Sequence, residues 1–214
     1  MKKLLLAMSA LAAVALLVPS SGVAGVNDSS GEGLNANIIG VYTTQTANDS
    51  DVSYTGTPGP VTCYAVVKNP VNYHTGAPGS TVESDITVLG GFEFKLVLPA
   101  TVFLLSGTMP AGATNFLTPP NYLVGCNIPV SNRVATVVTF SLGWFSGTPE
   151  FLFVSPVDNV PSVNGKLAIT DFNDDFRLNP AYPPYHDFAI PVFALGQALD
   201  SEDATWGGVK SLFR

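Results

Sequence analysis

The sequence predicts an all-β fold, a two-sheet antiparallel β-sandwich, and three observations carry that expectation. Apolar and polar residues alternate at period two: Phe92, Phe94, Leu96 and Leu98 share one face while Glu93 and Lys95 share the other, and the run Val134, Thr136, Val138, Phe140, Leu142 keeps the same spacing. Such alternation sends one face of a strand into a core and the other to water. Twenty Gly and 17 Pro punctuate the chain, a composition suited to short strands and tight turns. No sustained 3.6-residue period and no strand–helix alternation occurs, so sheets are the layers available to bury these faces.

Residues 1–25 are expected to be a cleaved signal peptide. Lys2 and Lys3 precede an apolar run from Leu4 to Val18, a break at Pro19, Ser20 and Ser21 follows, and small residues stand at Val23, Ala24 and Gly25. That run is short for a membrane span and no Cys follows it, so a lipid anchor is not expected. Residues 26–36 are Gly- and Ser-rich and read as a flexible mature N-terminus. The sandwich is assigned to 37–196, with about nine strands at 37–44, 61–68, 84–98, 102–105, 122–127, 133–142, 150–155, 166–170 and 188–193. Gly90 and Gly91 interrupt the third run and predict a bulge or a hairpin turn there. Longer Gly-, Pro-, Thr- and Asn-rich connections at 45–60, 69–83 and 106–121 would gather at the sheet ends, where binding residues usually reside. Residues 197–214 read as an acidic linker with a short C-terminal tail, in which Trp206, Lys210, Phe213 and Arg214 form an aromatic-basic end and a short helix is conceivable.

Composition narrows the partners. The chain has 16 acidic and 9 basic residues for a formal net charge of −7, and losing Lys2 and Lys3 with the leader makes it more acidic still. Nucleic acid is a poor partner for that surface. No second run of about 18 apolar residues follows the leader, so no transmembrane span is expected in the mature chain. Cys63 and Cys126 lie in strand-like runs, and outside the cytosol they are expected to form a disulfide, with two buried free thiols as the alternative. Neither has a His at metal-ligand spacing.

The segment GFEFKLVLPATVFLL at 91–105, with VATVVTFSL at 134–142, resembles the cohesins and related carbohydrate-binding-module sandwiches. The resemblance implies a cohesin/Ig-like jelly roll over about 37–194. The bend that is Tyr-Asp-Pro in many cohesins is Leu98-Pro99-Ala100 here, so the scaffold is carried over and no partner-binding residue is. The order of leader, sandwich, acidic linker and tail is also similar to that of uncharacterised secreted bacterial proteins.

Several groups could carry chemistry. Asp171, Asn173, Asp174 and Asp175 form the densest set of oxygen ligands, suited to a weak extracellular Ca2+ site, although the run lacks the Gly and Glu of an EF-hand loop; a solvated turn explains it equally. Glu93 and Glu150 are the strand carboxylates that a glycoside hydrolase pair would need, with an ion pair or plain solvation as the simpler role for Glu93. His74 and His186 stand beside Tyr and Pro with no nucleophile elbow in sight. Trp144, Tyr182 and Tyr185 are candidates for stacking on a glycan, against structural roles in capping the core or covering a sheet edge. The reading that follows is a secreted or envelope-associated, non-enzymatic binding or adhesion module for a protein or polysaccharide ligand, without cofactors. An extracellular carboxylate-dependent hydrolase, or a structural subunit assembling through a sheet edge, is the alternative.

Overall fold

A computed structural model describes residues 36–73 and 82–199. The leader, most of the Gly/Ser-rich segment, His74, and the tail with Trp206, Lys210, Phe213 and Arg214 lie outside the described residues.

The described chain is all-β, with short 3-10 turns at Asp49–Asp51 and Pro184–His186. The first sheet runs β1 (Ile38–Tyr42), β3 (Gly59–Lys68), β10 (Val134–Trp144) and β7 (Val102–Thr108), antiparallel throughout. The second is built on β6 (Val88–Val97). One side of β6 takes β12 (Leu167–Asp171) along its first half and β11 (Glu150–Ser155) along its second. Its other side takes β9 (Asn121–Pro129), which carries β8 (Thr114–Asn115). β13 (Arg177–Ala181) closes one end, while β14 (Phe193–Leu195) and β2 (Ser53–Tyr54) close the other. The β2–β14 pair is parallel, in contrast to its neighbours. A small ladder of β4 (Val71–Tyr73) and β5 (Val82–Asp85) stands apart.

The two large sheets share one core. Ile39, Cys63, Ala65, Val67, Phe140 and Leu142 of the first meet Phe92, Phe94, Leu96, Val124, Ile169 and Phe193 of the second. A chain of rings crosses between them: Phe92–Phe94, Phe94–Tyr122 and Tyr122–Phe140 have centroids 5.9, 5.1 and 5.8 Å apart. The period-two pattern of β6 and β10 is therefore the pattern of the core, as the alternation requires.

At Gly90 the expected irregularity is a bulge, not a turn. Leu89 pairs with Ile128 and Gly91 with Gly125 on one side, while Asp171 pairs with Leu89 and Thr170 with Gly91 on the other, so Gly90 is skipped by both neighbours. A Cβ at Gly90 would stand 2.7 Å from Phe176 Cδ1 and 3.0 Å from the Phe172 amide nitrogen, which leaves no room for a side chain. Two further expectations need revision. The run 84–98 is two strands, separated at Ile86 and Thr87, and the strand expected at 188–193 begins only at Phe193. β13 was hidden by Asn179 and Pro180, residues that argue against a strand interior but are admissible on the sheet edge that β13 occupies.

The expected disulfide is corrected. Cys63 and Cys126 are both free and buried. Cys63 belongs to β3 of the first sheet and Cys126 to β9 of the second. Each thiol packs into the shared apolar core as a small hydrophobic group. Burial pushes both thiols up, Cys126 to about 12. Cys126 Sγ donates to the Leu89 carbonyl at 3.4 Å, beside the bulge where the ladder is interrupted.

Candidate functional site

The acidic turn after β12 is held together by its own bonds. Asp171 is buried, and its Oδ2 accepts from Asn72 Nδ2 at 2.6 Å while its Oδ1 accepts from the Asn173 amide at 2.9 Å. Asn173 Nδ2 donates to Thr87 Oγ1, and Asp174 Oδ2 lies 3.1 Å from Arg177 Nη1, which also reaches Glu83 at 2.8 Å. Asp175 sits in the left-handed region at φ 45°. Among the described residues no three His, Cys, Asp or Glu side chains converge as metal ligands. Asp171 joins a buried amide cluster: Asn179 Nδ2 donates to Asn72 Oδ1 at 2.8 Å, Asn179 Oδ1 accepts from the Tyr73 amide, and Asn37 bonds the Val71 amide and the Val71 and Pro180 carbonyls. These side chains stitch β4 to β12, β13 and the start of β1.

Two of the three glycan-stacking candidates have no ring face to offer. Trp144 ends β10 at 1% exposure, its Nε1 donates to the Thr148 carbonyl at 2.9 Å, and its ring takes the edge of Tyr54. Tyr182, 2% exposed, stacks on His186 at a centroid distance of 4.1 Å, with Lys166 Nζ 4.6 Å from its ring. Both are corrected to structural roles, since a sugar needs an open ring. Tyr185 is exposed, in the same turn, with φ 62°.

The carboxylates do not form a pair. Extending the β11–β6 register from Phe153↔Val97 places Glu150 opposite residue 100, seven positions from Glu93, or roughly 23 Å at strand rise. Hydrolytic pairs stand at most about 10 Å apart. Glu93 itself is not on a wet face: it is 2% exposed beneath the segment that joins β11 to β12, accepting from the amide and hydroxyl of Ser162. Burial raises its pKa, and the Ser162 bonds partly oppose that. Lys95, next on the same face, meets Asp158 of the same segment at 2.6 Å.

The molecule also exposes an apolar patch. β7 forms one edge of the first sheet, and among the described residues nothing pairs with its outer side. Phe103 and Leu105 project from it at 56% and 52% exposure, and Phe145, just past β10, at 59%. They converge over Gly143: a Cβ there would lie 2.7 Å from Phe145 Cε2 and 3.3 Å from Leu105 Cδ2, and Gly143 pairs directly with Phe103. Leu105 is the extra residue of a bulge, since Ser106 pairs with Ser141 and Leu104 with Leu142. This patch was missed at the level of motifs, yet a signal was present. From Leu96 to Pro149 the chain carries a single charged residue, Arg133.

No protein-family model matches the chain, and neither a curated protein nor a solved structure matches it.

Proposed function

We propose that this chain is a non-enzymatic module, exported to the envelope or beyond it, that recognises a protein partner through the uncharged apolar surface around Phe103, Leu105 and Phe145, on a cohesin-like sandwich scaffold. The observation that carries the reading is that patch: three large apolar side chains, each more than half exposed, gathered on an unpaired sheet edge. Scattered exposed apolar residues such as Val160 are ordinary, whereas a contiguous group marks an interaction surface. Covering it would remove roughly 200–300 Å² of apolar area, about 5–8 kcal/mol before the costs of association. A glycan reading draws less support, because only Tyr185 of its three candidate rings is open.

Site-specific photo-crosslinking in the producing cell tests the proposal. A photoreactive residue at Phe103 or Phe145 is expected to join the chain to a defined protein band, while one at the isolated, 91% exposed Val160 is not. Equal labelling at all three positions would remove the reading.

A further inference from the structure

Resting on that reading, we infer that the partner is a second copy of this chain, joined antiparallel through β7 so that two four-stranded sheets continue into one.

Sheet edges are normally blunted with charge, Pro, brevity or cover. The other edges described here follow that rule. At β1 the Ile39 amide donates to the Tyr182 carbonyl and the Tyr182 amide to the Asn37 carbonyl, which occupies the outer backbone. β13 carries Pro180 and Arg177, and β2 and β8 have two residues each. β7 has seven residues, VFLLSGT, with neither charge nor Pro. Among the described residues its bulge at Leu105 is the sole guard, and it pushes an apolar side chain outward instead of a polar one.

Charge selects the occupant. Two copies of a chain with net charge −7 repel over most approaches. The patch lies in the stretch from Leu96 to Pro149, whose only charge is Arg133 at the far end of β10, where Val134 pairs with Lys68 and not with β7. A copy can therefore approach β7 to β7 without placing like charges in contact. The acid at this edge is Glu150, whose carboxylate accepts from Thr101 just before β7, so in a twofold pairing centred on β7 the two copies of Glu150 stand at opposite ends. Twofold association is self-complementary, and edge strands related by it run antiparallel. With the axis at the middle of β7, Leu105 lies beside its own counterpart.

Sedimentation of the exported full chain over a concentration series, with Leu105→Lys and Leu105→Glu alone and mixed, tests this. The expected result is a concentration-dependent wild-type dimer, a shift toward monomer on the order of tenfold in Kd for each variant alone, and recovery of dimer in the equimolar mixture, where opposite charges face each other. Melting curves establish that each variant is folded, and Phe103→Lys with Phe103→Glu replaces the pair where a Leu105 variant melts early. A wild-type monomer at every concentration overturns the inference, as does a dimer that ignores both charges or a mixture no tighter than its components. If the wild type is monomeric while a crosslinker at Phe103 captures a different protein, the second copy is refuted and the protein-binding reading survives. If the crosslinker captures nothing, both fail.

Discussion

Glu93 and Lys95 show how a strand's outer face can carry ionisable groups without being wet. Both point away from the core, as their alternation with Phe92, Phe94 and Leu96 requires, but the β11–β12 connection lies over them and gives each a partner. The alternation was legible in the sequence, whereas the cover was not, because nothing near Glu93 in sequence indicates that Ser162 will meet it. Burial raises the Glu93 pKa, so the folded chain keeps a proton that the unfolded chain has already lost, and stability falls as pH rises from the ordinary Glu value through the raised one. Denaturant titrations across that window are expected to show the fall in the wild type and not in Glu93→Gln. The buried amides were equally invisible, since Asn37, Asn72 and Asn179 come together only in the folded chain. Asn72→Ala would leave the buried Asp171 carboxylate with one donor fewer and the Asn179 amide without its side-chain acceptor, a loss of about 2–3 kcal/mol in equilibrium unfolding.

Among the elements, β6 and β10 were the most readable because their apolar periodicity is long and one face of each is core. β2, β4, β8 and β13 were not, being two to five residues long, too short for a period to show, and β2 depends besides on the distant β14. The bulge at Gly90 lies between these cases: the glycine pair announced an irregularity, and the two flanking registers define it. Gly90→Ala would drive a methyl against Phe176 and the Phe172 backbone, and is expected to lower stability by about 1–3 kcal/mol, read as a lower melting temperature. β7 illustrates the opposite limit. Its strand character was expected, but exposure of an edge is a property of sheet order, which hydrophobic pattern alone does not determine.

For the whole molecule, the all-β class followed from composition and period, and the disulfide did not follow from compartment. Two cysteines in strand-like runs gave no account of which sheet each would join, and both thiols end as buried core side chains. Thiol titration is expected to find no reactive Cys in the native protein and two after unfolding in guanidinium, with a mass unchanged by prior reductant; one reactive thiol or none after unfolding would contradict this. The candidate chemistry was displaced for a related reason. Glu93, Asp171, Trp144 and Tyr182 looked available in sequence and are consumed by packing and hydrogen bonds, while the apolar patch at β7 lies in a segment with almost no charge.

The parallel pair of β2 and β14 has a bearing on biogenesis. Ser53 lies opposite Ala194, and the Val52 and Tyr54 carbonyls receive the amides of Ala194 and Gly196, so an early and a late segment of the polypeptide clasp one another. Loop-closure entropy makes such a contact slow to form, and it has no partner until synthesis has passed residue 196. A nascent chain that has not yet reached β14 leaves both β2 and the outer side of β11 without their ladder partner.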